Sequence, residues 1–146
     1  MNKRLILLSA ATAACLSFSP GVRAQELPPA KRTAHAEITQ GPEVAGARDN
    51  WAIIRWTGNN PGGSDEHFAV VHYGTSPDKL TETARSHIRL NQNHSYTVFR
   101  VMMNGLKPGT TYYYTVDSLE ADGGSDGIQS GVKQFTMPGE PQQASK

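Results

Sequence analysis

Residues 106–113, Leu-Lys-Pro-Gly-Thr-Thr-Tyr-Tyr, place a tight turn directly before a tyrosine that opens a strand. Pro108 fixes one backbone angle, Gly109 supplies a permissive one, and Thr110 is suited to close the turn with a local hydrogen bond. Residues 112–116, Tyr-Tyr-Tyr-Thr-Val, are all aromatic or β-branched, the side chains that suit a pleated, half-buried surface. A tyrosine at such a strand start sets its ring in a core and its hydroxyl on backbone a few residues upstream, at the corner of a two-sheet sandwich. The segment constrains the fold strongly and the chemistry hardly at all.

Further strand-like runs recur between turn residues at the spacing of an all-β sandwich, and no segment keeps a capped helical period. The first expected strand covers residues 34–40 and ends at Gly41-Pro42. Over residues 51–57 the period-two rule puts Ala52, Ile54 and Trp56 on one face and Trp51, Ile53 and Arg55 on the other. Residues 67–73 carry Ala69, Val71 and Tyr73 inward, and a turn over 74–78 feeds a short edge strand at 80–85. Residues 95–103 hold Phe99, Val101 and Met103 in phase with Leu106. Tyr112, Tyr114 and Val116 point inward over 112–116, and Phe135 does so over 132–137. The expected fold is a seven-stranded, immunoglobulin-like Greek-key sandwich, with Trp56, Tyr73, Leu106, Tyr112 and Phe135 as its structural core.

The N-terminus has a basic start at Asn2-Lys3-Arg4, an apolar run over 5–18, and the small-residue pattern Val22-Arg23-Ala24. This predicts a secretory signal peptide over residues 1–24; the run is short for a bilayer span. The competing reading is lipoprotein-type processing at Ala13-Ala14-Cys15, which would tether the protein through Cys15, although Thr12 stands where such sites usually carry Leu. Cleavage after Ala24 leaves no cysteine, so the exported domain must be held by its own core. Residues 25–32 read as an extended leader, 33–138 as one domain of ordinary size, and 139–146 as a flexible tail. The expected location is secreted or periplasmic. Removing Lys3, Arg4 and Arg23 leaves eleven basic against thirteen acidic side chains, and the formal charge moves from +1 to −2. That balance offers no footprint for nucleic acid.

Trp56, Tyr73, the Leu106-x-Pro108-Gly109-Thr110-x-Tyr112 corner and Phe135-Thr136 resemble a fibronectin type III domain. Three segments in order narrow the likeness: Ile38-Thr39-Gln40-Gly41-Pro42, Val71-x-Tyr73-Gly74-Thr75-Ser76-Pro77, and 106–114. Together they are similar to the N-terminal domain of purple acid phosphatases over residues 33–138. In that family the sandwich precedes a separate metallophosphatase domain that supplies the metal ligands and catalysis. The Asp, Asn, His and Tyr ligand motifs of that domain have no counterpart in this sequence. The resemblance therefore implies a fold and an accessory role, not phosphatase activity.

The residues themselves point away from catalysis. His35, His67, His72, His87 and His94 form no dense ligand pair, and a strand puts His67 and His72 on opposite faces. Loops at 58–66, 89–94 and 120–131 are expected to gather at one end, and their carboxylates suggest calcium as an alternative, but the spacing lacks the D-x-D-x-D-G pattern. No G-x-S-x-G elbow is present, and neither Gly-rich loop leads from a strand into a helix. Asn93-His94-Ser95 matches a glycosylation sequon, read as chance beside a bacterial-looking signal. No catalytic residue, metal or cofactor is expected.

What remains is an outward face. Phe68, Val70 and His72 alternate with the core set, and Tyr113 and Val132 fall on strands expected beside them. A contiguous, partly aromatic patch marks a partner surface, whereas the plainer reading is ordinary decoration with strand-favouring residues. The expected partner is a protein or glycan, with a metallophosphatase chain in trans as the alternative.

Overall fold

Period-two alternation of apolar side chains folds into two antiparallel sheets that share one core. The structure, a computed structural model, describes residues 26–33 and 36–140. The expected signal peptide, Cys15, Ala34, His35 and residues 141–146 of the tail lie outside the described residues. The strands are β1 (Ile38–Arg48), β2 (Trp51–Asn59), β3 (Glu66–Gly74), β4 (Glu82–Arg89), β5 (Tyr96–Asn104), β6 (Thr111–Glu120), β7 (Ser125–Gln129) and β8 (Lys133–Thr136). One sheet runs β1-β2-β5; the other runs β4-β3-β6-β7, with β8 also on β6.

β7 and β8 occupy one side of β6 in succession. Leu119 faces Ser125 and Asp117 faces Gln129, and farther along Tyr114 faces Lys133 and Thr111 faces Thr136. They are two halves of one strand position, broken over residues 130–132. Ser130 bridges the break: its N–H donates to the Val116 carbonyl at 3.0 Å and its Oγ accepts from the Val116 N–H at 2.9 Å. Eight elements thus fill the seven positions of an immunoglobulin-like sandwich.

Three boundaries differ from the sequence-based expectation. Gly41-Pro42 does not end the first strand; β1 continues to Arg48, with register shifts on either side of Gly41, which adopts φ 85°. An edge strand tolerates a proline and bulges where a central strand does not. The segment expected at 80–85 is β4, paired with β3 from Glu82 to Arg89, because its polar residues face solvent and only Ala84 and Ile88 pack against the core. The expected loop at 120–131 contains β7, a polar run in which Ile128 is the buried apolar residue.

The core forms from the residues the alternation puts inward. Trp56 stacks on Phe99, its cross-strand neighbour, at 5.3 Å between centroids and 7° between planes. Tyr112 packs between Phe135 at 5.9 Å and Tyr73 at 6.2 Å; Leu106 and Tyr112 belong to the buried cluster, and Tyr73 and Phe135 are partly buried against it. Tyr112 Oη accepts from the Lys107 N–H at 3.0 Å, while the Thr110 N–H donates to the Lys107 carbonyl at 3.3 Å and Gly109 sits at φ 65°. Ring and hydroxyl together pin the corner.

The leader is part of the fold. Ala30 is buried in the core cluster and bridges Gln92; the Lys31 N–H donates to the His94 carbonyl and the Thr33 N–H to the Asn60 carbonyl, each at 3.0 Å. Asn60, fully buried, holds this junction: its Nδ2 donates to the Lys31 and His94 carbonyls and its Oδ1 accepts from Thr97 Oγ1 at 2.7 Å. Arg32 adds a hydrogen bond to the Pro61 carbonyl and an ion pair with Asp65.

Candidate binding face

The outer face of the larger sheet is set by β3 at its centre. β3 pairs with β4 on one side and β6 on the other, so each outward β3 residue has a cross-strand neighbour in both directions. Phe68 lies between His87 and Leu119, Val70 between Arg85 and Asp117, and His72 between Thr83 and Thr115. The face is therefore a charged and aromatic mosaic rather than an apolar patch.

Long side chains from β4 cover part of it. The Arg85 guanidinium sits 3.9 Å over the Phe68 ring, and the His87 ring meets that ring edge-on at 5.5 Å. Among the described residues no carboxylate pairs with Arg85, so its charge is met by the face of an aromatic ring. Glu66 closes the row, accepting from Arg89 Nη1 at 2.8 Å and lying 2.8 Å from His87 Nε2.

Val70 does not belong to an accessible patch. It is 2% exposed although it points away from the core, on the central strand with Arg85 and Asp117 as its cross-strand neighbours. His72 is half-buried, with Nδ1 3.4 Å from Thr83 Oγ1 and Nε2 3.9 Å from Asp117 Oδ2. Burial raises the Asp117 carboxyl above its ordinary value, and the Ser118 backbone N–H and His72 only partly oppose that shift. Tyr113 is half-buried opposite Gly74 and Gln134, next to the Phe68-to-His72 column. Val132 is exposed but lies in the break between β7 and β8 rather than on a strand. Of the five expected residues, Phe68, His72 and Tyr113 share the outer face; Val70 is covered and Val132 lies off the ladder.

At the loop end the carboxylates are engaged with nearby groups. Asp65 pairs with Arg32 and Arg89, Glu66 with Arg89 and His87, and Asp122 accepts from the Gly124 N–H at 2.8 Å. Among the described residues no group of three His, Cys, Asp or Glu side chains converges as a metal site would. Among them, too, no helix is long and apolar enough to cross a membrane.

Sequence reasoning missed a buried polar pair in this region. His67 is fully buried, with Nε2 donating to the Ser64 carbonyl at 2.9 Å and Nδ1 lying 3.4 Å from Asp126 Oδ2. Asp126 Oδ1 accepts from the Ile128 N–H at 3.0 Å, and the Ser118 hydroxyl is buried nearby without a hydrogen bond. The inward parity of His67 was readable beside Ala69 and Val71. That Asp126 faces it from β7 was not, since β7 itself reads as loop.

A family model described as the purple acid phosphatase N-terminal domain matches residues 43–137. Of the three motif segments, 71–77 and 106–114 fall inside that match and 38–42 lies just before it. The chain is 31% identical over 99 residues to the 4-hydroxy-3-methylbut-2-en-1-yl diphosphate synthase (flavodoxin) of Acidiphilium cryptum, covering 68% of this chain and 23% of that one. It is 31% identical over 122 residues to the enzyme of the same description from Ruegeria, covering 82% and 29%. The chain thus spans under a third of the length of the curated relatives it matches. Among solved structures, the sensor domain of the anti-sigma factor RsgI4 of Pseudobacteroides cellulosolvens superposes with a TM-score of 0.53 at 17% identity, covering 77% of this chain and 98% of that domain. That likeness is one of fold.

Proposed function

We propose that this chain, which belongs to the purple acid phosphatase N-terminal domain family, is an exported, non-catalytic module that binds a protein or glycan at the cell envelope or outside the cell. The family match, which spans the sandwich from within β1 to the end of β8, carries this reading. The outer face of the larger sheet supports it: Phe68, Tyr113 and an Arg85 stacked on the Phe68 ring combine aromatic surface with a donor-rich cation, a pairing enriched where proteins meet partners. Partner capture from a cell-envelope fraction by the protein is compared with capture by Phe68→Ser and Tyr113→Ser. Loss of a specific partner with unchanged thermal unfolding supports the face, and unchanged capture by both variants removes it.

The second reading, an accessory chain that pairs in trans with a metallophosphatase, is favoured by the family itself. Co-expression with such a catalytic chain would yield a co-purifying pair. Separately, the purified protein supplied with a general phosphate ester and iron, zinc or manganese is expected to give no turnover above buffer, and measurable turnover would overturn the non-enzyme reading.

A further inference from the structure

The edges of the two sheets are not equally protected. β1 carries Pro42 and three register shifts, β4 carries Glu82, Arg85 and Arg89, and the β7–β8 position is split into pieces of five and four residues. Prolines, bulges, charges and short strands are the devices by which natural sheets blunt an edge. β5 has almost none of them. It is nine residues long, Tyr-Thr-Val-Phe-Arg-Val-Met-Met-Asn, and pairs with β2 through nine consecutive partners without a register shift. It ends its sheet, and among the described residues no strand pairs with its other side. Tyr96 and Met102, 46% and 49% exposed, stand on its outward face.

Its single charge is Arg100, the fifth of the nine residues. Arg100 lies directly opposite Arg55, whose charge is taken by Glu43 on β1; among the described residues no carboxylate pairs with Arg100. Like charges facing each other across a ladder are unfavourable and opposite charges favourable. If two copies of β5 paired antiparallel over their full length, the central Arg100 of each would meet its own twin. The same position rewards a strand that brings a carboxylate there.

We infer that β5 is an open docking edge that accepts an extended, apolar strand with an acidic residue at its centre from a partner protein, and that Arg100 both selects that strand and prevents self-pairing. Main-chain hydrogen bonds along the edge supply affinity, and Arg100 supplies the choice. The inference rests on the reading of this chain as a binding module but places the contact on the sheet opposite Phe68 and Tyr113.

The probes are two synthetic nine-residue strands of alternating valine and threonine, one with glutamate and one with lysine at the centre. Hydrogen-exchange protection and amide shifts on the isotope-labelled protein report where they bind. The glutamate strand is expected to protect β5 amides and bind about tenfold more tightly than the lysine strand, with a preference that weakens in salt. Arg100→Glu is expected to invert the preference, and Arg100→Thr to self-associate in sedimentation equilibrium. Arg100 is exposed, and an unchanged spectrum of core amides confirms that both variants fold. Equal binding of both strands, no protection on β5, or a preference that Arg100→Glu leaves in place would overturn the inference. So would a monomeric Arg100→Thr, or wild-type self-association through β5, which would assign the edge to a second copy. Phe68→Ser is expected to leave strand binding unchanged, so failure of the edge is distinguishable from failure of the Phe68 face.

Discussion

Tyr112→Phe isolates one atom of the corner. The ring stays, and with it the packing against Phe135 at 5.9 Å and Tyr73 at 6.2 Å. What goes is the acceptor for the Lys107 N–H, held at 3.0 Å in a part-buried bond. A hydrogen bond of this kind contributes about 0.5–1.5 kcal/mol net, and a buried donor left without a partner costs about 1–3 kcal/mol. Lys107 is exposed on its other side, so water can reach part of the turn and the lower half of that range applies: a loss of about 1 kcal/mol. For a domain of this size, that is a fall in Tm of about 4–8 °C. Urea unfolding measures it directly, and the slope m should not change, since the surface exposed on unfolding is the same. Tyr112→Ala removes ring and hydroxyl together and should cost about 3–5 kcal/mol, the range for emptying a core aromatic site. The reasoning fails if Tyr112→Phe matches the wild type within about 0.3 kcal/mol while Tyr112→Ala is strongly destabilised, because the corner would then be held by the ring alone.

Gly74→Ala should destabilise by about 1–3 kcal/mol or more, since a Cβ there would stand 2.3 Å from the Lys79 carbonyl oxygen, a backbone atom that cannot swing aside; an unchanged midpoint of thermal unfolding would refute this. Asn60→Ala should cost about 2–4 kcal/mol by stranding the Lys31 carbonyl and the Thr97 hydroxyl, and it should also open residues 26–33 to limited proteolysis. Asp117 carries a pH prediction. Its carboxyl is raised by burial, so the folded protein holds the proton over the window just above the ordinary carboxylate value while the unfolded chain has released it. In that window stability falls as pH rises, and Asp117→Asn should flatten the fall in a series of denaturation curves.

Most of the core was legible because its signal is local. Trp56, Phe99, Tyr112 and Val116 sit where a period of two puts them, and the turn chemistry at Pro108 and Gly109 fixes where β6 begins. Gly74 shows why the motif around it reads so clearly. The Tyr73-Gly74-Thr75-Ser76-Pro77 turn brings the Lys79 carbonyl so close that only a residue without Cβ fits. The boundaries that shifted are those where the deciding interaction is distant. β1 runs past Gly41-Pro42 because β2 offers it a ladder to Arg48, and residues 29–33 join the fold because Asn60, far along the chain, receives them. Leu90 in the core and β7 on the edge of β6 likewise depend on partners that no window of a few residues contains.

The candidate surfaces were less legible, for a related reason. Alternation states which way a side chain points, but not what stands next to it. Val70 points outward and is buried; Met102 and Tyr96 also point outward and are open. The difference lies in strand order. Val70 is on β3, flanked on both sides, with Arg85 and Asp117 as its cross-strand neighbours. Met102 and Tyr96 are on β5, which among the described residues has a neighbour on one side alone. A central strand acquires its cover from two ladders, whereas an edge strand must be protected by its own sequence. In β5 that protection has come down to one residue, Arg100, which makes the smaller sheet the more selective place for a partner strand even though the larger sheet carries more charge.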